Sequence, residues 1–285
     1  MLATQEWINQ IMQNRIYSFA SNFKKEYSGR GTKLKNLTNK ANNPFILALG
    51  EEIVIYSTIM RSLDSSLGNC LEDIARAIAE ANYYVYKEVE GDVPVSVDKK
   101  ISDLMSAYVV KKRIPKLTDL DEIMDIEKGL GQFEHKIHKS DYHLVKKSDD
   151  RQHFLLELKI GGDLDNKKAR SEKQALLEQY AILKYSPQIK SDSVIRLYFA
   201  TAYNKFGENE IWKQERVRQF FGKDELLIGR DFWNFICDSN DGNRMVLEAY
   251  KQNAHFLKAA LEGIIQTARQ NMRSSNPSLW KDDTM

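Results

Sequence analysis

Asp141, Glu157 and Lys159 are the residues of this chain whose types and spacing could do chemistry, in the pattern D-x(15)-E-x-K. The last two sit in Phe154-Leu155-Leu156-Glu157-Leu158-Lys159-Ile160, an apolar run that reads as a strand. Side chains alternate across a strand. Leu156, Leu158 and Ile160 then share one face, the expected core, while Glu157 and Lys159 share the other. A carboxylate and an ammonium two residues apart form one patch at the end of a buried strand. Gly161-Gly162 follows, a sharp turn that leaves room for a ligand to approach the backbone. Asp141 lies on the preceding strand, across a hairpin around Ser148-Asp149-Asp150. Register decides whether the two acids meet. A three-residue loop at 148–150 pairs Lys147 with Arg151 and sets Asp141 opposite Glu157. A plain two-residue loop sets it opposite Leu158, on the wrong face, so the site requires the odd loop or a bulge.

The elements that must position these groups are legible as periodicities. Ile8, Ile11, Met12, Ile16, Phe19 and Phe23 recur at spacings of three and four and mark an amphipathic helix over residues 4–26. Lys24 to Lys40 holds six basic residues against one acid, with two glycines. It reads as a basic loop, either a solvated connector or an arm contacting phosphates through residues such as Lys33 and Lys35. Residues 46–87 read as two helices broken near Leu63–Leu67, and 88–98 as a loop. Residues 99–130 are helical in part, and from Phe133 the period changes to two. Residues 141–147 and 152–160 form the hairpin, 165–184 a helix, 193–203 a buried strand and 225–229 a further strand. Asp231-Phe232-Trp233 opens a short helix, and 242–272 is a long amphipathic one. The expected fold is a mixed α/β layer structure with a helical N-terminal portion. Residues 1–45 are expected to form an N-terminal helix and basic arm, and residues 46–285 one continuous domain.

The upstream segment Ser66-x-Gly68-x-x-x-Glu72 places a glutamate on a helix ahead of the acid…acid-x-Lys pattern. Together these residues resemble the PD-(D/E)xK nuclease superfamily. The proline of that name is absent, because Asp141 follows Ser140. The wider order is Asn43-Pro44-Phe45, the Gly68…Glu72 helix, the Asp141 hairpin, the Leu-Glu-Leu-Lys strand and a helix ending Leu-Leu-Glu-Gln-Tyr. Gly229-Arg230-Asp231-Phe232-Trp233-Asn234-Phe235 follows, ahead of a long C-terminal helix. Over most of residues 43–270 this order is similar to type II restriction endonucleases of the TdeIII kind and relatives that cut GGNCC-centred sites.

The resemblance implies a restriction-endonuclease-like mixed central sheet flanked by helices. It implies Mg²⁺, a hard ion that selects carboxylate oxygen and water, held by Asp141 and Glu157. Lys159 would orient or help deprotonate the attacking water. Glu72 would complete or tune the metal site; its alternative is a solvated helix glutamate beside Asp73. Further implications are double-strand cleavage of DNA by a homodimer at a short palindromic or interrupted site, and a DNA methyltransferase that protects host DNA. After the catalytic strand, Lys167, Lys168 and Arg170 could reach phosphates and Asn166 a base edge. A helix N-terminus capped by Asp163 or Asp165 is the other reading of that stretch.

Composition narrows the alternatives. A chain of 285 residues buries enough surface to need no disulfide or zinc staple. Its 42 basic and 40 acidic side chains leave a net charge of +2, which excludes bulk electrostatics as the means of binding DNA but allows a local basic surface. No apolar run approaches the roughly 18 residues that cross a bilayer. No secretory signal opens the chain, and Cys70 and Cys237 form no pair, so a reducing, cytoplasmic setting is expected. His135, His138, His143 and His153 cluster near the hairpin but cannot converge simply on a metal. No phosphate-binding glycine loop or serine nucleophile elbow exists. Phe232, Trp233 and Phe235 read as core, and Glu178 with Gln179 as a solvent-facing pair. The C-terminal helix could form a dimer interface or cap the sheet. Two other functions fit less of the pattern: a nuclease of repair or branched DNA, and a non-catalytic nucleic-acid-binding module.

Overall fold

The computed structural model describes residues 3–29, 31–124, 132–161 and 164–275. Gly162 and Asp163, named above as turn and cap candidates, lie outside the described residues. In chain order the elements are α1 (Gln5–Lys25), α2 (Thr32–Ala41), α3 (Pro44–Leu47), α4 (Glu51–Ala79), β1 (Tyr83–Pro94), α5 (Val95–Val109), α6 (Asp119–Ile123), β2 (Phe133–Lys146), β3 (Gln152–Lys159), α7 (Asn166–Tyr185), β4 (Val194–Thr201), α8 (Glu215–Arg218), β5 (Leu226–Ile228), α9 (Arg230–Cys237) and α10 (Gly242–Ser275). They fall into two compact units, residues 75–244 and residues 4–74 with 245–275.

The first unit is built on a five-stranded sheet in the order β1-β2-β3-β4-β5. β1, β2 and β3 pair antiparallel, whereas β3, β4 and β5 pair parallel. β3 is therefore the strand at which the sheet changes sense. A parallel neighbour needs a crossover connection, which α7 supplies. On one face Val97, Ile101 and Met105 of α5 and Leu176, Leu177 and Ala181 of α7 close over Leu155, Leu197 and Phe199. On the other, Phe154 meets Phe235 at 5.0 Å between ring centroids, and the Tyr83 hydroxyl donates to the Phe235 carbonyl at 2.9 Å. Trp233 is buried and donates its indole N–H to the Ala202 carbonyl at 2.8 Å, which supports its reading as core. Both faces of β3 are thus covered, with Leu155 and Leu156 fully buried. Glu157 and Lys159 continue a buried face rather than an open one.

The Lys173 ammonium of α7 and the Glu225 carboxylate form an ion pair with almost no exposure. The second Glu225 oxygen accepts the Gly222 N–H at 2.8 Å. Removing one partner strands a buried charge, so Lys173→Ala should destabilise the protein by about 3–5 kcal/mol. Chemical denaturation with a loss well under 1 kcal/mol would contradict this.

The second unit is helical. Thr4 caps α1, which buries Ile8, Met12, Ile16 and Phe23 of the predicted stripe together with Ala20, while Ile11 and Phe19 are half-buried at its edge. α10 buries Leu257, Ile264 and Ala268. The Asn253 amide donates to Asn9 at 2.8 Å, and Arg269 forks onto Glu52 at 2.7 and 2.9 Å.

Three expectations are corrected. Residues 51–79 form one helix, not two. The interruption at Ser65-Ser66-Leu67-Gly68 costs only about 1 kcal/mol in propensity, less than burial of Ile55, Ile59, Ile74 and Ile78 contributes. Residues 88–94 are strand, not loop, because β1 pairs with β2 as far as Pro94↔Phe133. Its acids Glu88 and Glu90 point outward while Val89 and Val93 enter the core. The basic stretch is helical from Thr32, and only its first part is a turn.

Candidate active site

The β2–β3 hairpin pairs Tyr142↔Leu156, His143↔Leu155, Leu144↔Phe154 and Val145↔His153. This is the register of the odd loop, and its continuation sets Asp141 against Glu157. The two acids meet where the ladder ends. Asp141 Oδ2 accepts the backbone N–H of Leu158 at 3.0 Å, taking a donor at the strand's end. The Arg76 guanidinium donates to the Asp141 backbone carbonyl at 3.5 Å and lies over the Tyr142 ring.

Glu157 is largely buried, and its Oε1 contacts the Lys159 ammonium. Lys159 also reaches Glu172 of α7 at 3.3 Å. Burial first, and then the Asp141 charge, push the Glu157 carboxyl up to about 8. Burial alone would lower the Lys159 ammonium. Glu157, Glu172 and Asp141 outweigh it and hold Lys159 above its ordinary value, so it stays charged. Three acidic groups therefore share one cation, and the cluster is short of positive charge for all three to ionise.

That shortage bears on a metal. Among the described residues no group of three or more His, Cys, Asp or Glu side chains is arranged to hold one. The two carboxylates of Asp141 and Glu157 remain, an all-oxygen set. Mg²⁺ keeps several waters and is held by one or two carboxylates together with phosphate oxygens, so the donors at Asp141 and Glu157 fit it. They do not fit zinc. His143 and His153 stack with ring nitrogens 3.1 Å apart, and burial pushes His143 down to about 3. His135 pairs with Asp92 and His138 with Glu178.

The other sequence candidates are placed as follows. Glu72 is half-buried on α4 in the helical unit. Lys33, half-buried on α2, donates to Ser66 at 2.8 Å and lies 4.2 Å from the Phe23 ring centre, whereas Lys35 is exposed. Asn166, Lys167, Lys168 and Arg170 are exposed on the first turns of α7. Asp165 caps that helix by accepting the Lys168 N–H at 2.8 Å, so the capping reading holds for Asp165. Gln179 is buried and Glu178 is held by His138 and Gln174, which corrects their reading as solvent-facing. The space beside Gly161 is taken by a phenol: a Cβ there would lie 2.7 Å from the Tyr203 hydroxyl.

Arg76, Glu172 and Tyr203 were not singled out from the sequence. Glu172 lies in the second turn of α7, distant from Lys159 in local sequence pattern, and the ion pair between them joins helix to strand. Glu172 is positioned to steer the ammonium. Glu172→Gln is expected to lower kcat about ten- to a hundredfold with KM little changed. Steady-state cleavage kinetics test this, and an unchanged kcat would remove the assignment.

A five-stranded mixed sheet flanked by helices, with a helical N-terminal part, is a restriction-endonuclease-like fold. Residues 3–253 match the model of the family described as type II restriction endonuclease, HinfI. The chain belongs to the HinfI type II restriction endonuclease family, whose substrate is DNA. No curated protein matches it.

Proposed function

We propose that the chain is a Mg²⁺-dependent type II restriction endonuclease that cuts both strands of DNA at a short palindromic or interrupted palindromic site. The observation that carries this reading is the junction of Asp141, Glu157 and Lys159 at the end of the β2–β3 ladder. Asp141 and Glu157 would hold the ion. Bound there, it supplies charge against a phosphate oxygen and acidifies water. Lys159, kept protonated by its three acids, donates to the attacking water or a phosphate oxygen and opposes the negative charge that builds in the transition state. Glu172 holds that ammonium in place. Glu72 takes the supporting role that the superfamily resemblance gives it.

A palindrome presents one half-site twice, so the reading carries a homodimer, and host DNA requires a partner methyltransferase. Such an enzyme works in the cytoplasm, where the DNA is. Among the described residues no helix is long and apolar enough to cross a membrane. The resemblance to enzymes of the TdeIII kind suggests a GGNCC-like target.

The test is incubation of purified protein with phage DNA in Mg²⁺ and in EDTA. Discrete Mg²⁺-dependent fragments are expected, and sequencing their ends gives the target and tests GGNCC. A smear would point to a structure-selective or nonspecific nuclease. Intact DNA across several unmodified substrates would overturn the reading. Millimolar Mg²⁺ should also raise the melting temperature at pH 8, and should do so less in Asp141→Asn. Equal shifts in both would place the ion elsewhere.

A further inference from the structure

A cleft of about 350 Å³ opens beside the first turn of α7, between the segment after α5 and helix α8. Its lining carries Lys111, Arg113, Arg216 and Arg218 against one carboxylate, Glu215, with Asn166 at its edge. The walls are fixed to each other. The Gln219 amide donates to the carbonyls of Tyr108 and Val109, each at 3.0 Å. At Gly222 a Cβ would fall 2.7 Å from the Pro115 carbonyl oxygen, so the two segments run in close contact.

The cations differ in what they do. Arg113 is a strut, bonded to Asp119 and Glu122. Arg218 reaches Glu215 at 3.3 Å. Lys111 and Arg216 are exposed. Lys111 also holds φ at 55°, the left-handed region, just past the end of α5 where glycine is the usual residue. The fold therefore accepts backbone strain at a position that keeps a cation over the cleft.

One helix, α7, both lines the cleft and touches the candidate catalytic lysine of β3. α7 gives Asn166 to the cleft and, six residues on, Glu172 to Lys159. At 1.5 Å per residue these points lie about 9 Å apart along the helix axis.

We infer that this cleft grips the phosphodiester backbone of duplex DNA beside the cleaved bond, with Lys111 and Arg216 as the phosphate contacts. The inference rests on the reading of the chain as a DNA-cleaving enzyme. A phosphate grip carries no sequence information, so it adds affinity on any duplex and makes that affinity depend on salt.

The test is fluorescence anisotropy of the whole protein with labelled 30-base-pair duplexes in EDTA over a salt series, using Lys111→Gly, Arg216→Ala and the double variant. Glycine suits a left-handed position, so Lys111→Gly should melt near the wild type, and misfolding will not mimic the effect. The double variant should bind about tenfold more weakly, equally on a target-bearing and an unrelated duplex. Its slope of log affinity against log salt should fall by about 2, one per cation removed. Unchanged affinity and slope, with wild type binding normally, would overturn the inference alone. Loss on one sequence only would overturn it in favour of base reading. Absence of wild-type binding even at low salt would overturn the DNA-cleaving reading beneath it.

Discussion

Lys159→Ala should slow DNA cleavage by at least about a thousandfold while leaving DNA affinity in EDTA within severalfold of wild type. The size follows from what the side chain does. Preorganised donors aimed at developing charge each contribute about 10²- to 10³-fold, and a positioned proton donor or water-orienting group adds a comparable factor. Glu157, Glu172 and Asp141 keep the ammonium protonated. In the proposed mechanism it therefore serves as a fixed charge and donor, not as a base that must first lose its proton. Lys159→Arg should not restore activity, because the guanidinium fork cannot occupy the geometry of an ammonium wedged between Glu157 and Glu172. Single-turnover cleavage in Mg²⁺, with anisotropy in EDTA and a melting curve as controls, measures all three properties. Cleavage by Lys159→Ala within tenfold of wild type would remove Lys159 from the chemistry.

The second large effect joins activity to stability. Glu157→Gln should abolish cleavage and, at pH 8–9 in EDTA, melt above the wild type. The folded carboxyl titrates near 8 against an ordinary value of 4.5. Between those values the folded protein holds a proton that the unfolded chain has released, so stability falls as pH rises. The contribution is intact below about 4.5 and is lost as pH passes through about 8. Each pH unit inside the window changes stability by up to about 1.4 kcal/mol. Glutamine keeps the shape and cannot ionise, so that fall should be absent. Melting temperatures from pH 5 to 9 in EDTA decide it, and parallel pH curves for the two proteins would show that Glu157 does not titrate in this window. A group whose charge destabilises its own fold is what a site built to receive a cation should contain.

The hairpin that carries Asp141 and Glu157 was legible in part because β3 obeys a local rule. Alternation told which side chains share a face; the loop length was open between two and three residues, and the observed pairing decides for the register that brings Asp141 to Glu157. The same local reasoning failed for β1. Glu88, Glu90, Gly91 and Pro94 look like loop chemistry, and only pairing with a strand some forty residues away makes them strand. It failed again at Ser65–Gly68, where tertiary burial overrides a weak propensity. Glu172 was invisible for a third reason. A solvated helix glutamate and one that grips a lysine have the same local sequence, and the difference is made by how α7 crosses back over the sheet.

The two native cysteines carry a practical consequence. Cys70 and Cys237 are free and buried, and burial pushes both thiols up to about 12. At pH 8 only about one in ten thousand of such groups is thiolate, the form that reacts with maleimides or oxidants. The chain thus has a silent background for site-selective labelling. A cysteine introduced at an exposed position, such as Arg170→Cys on α7, would take a fluorophore alone, with no need to strip the native thiols first.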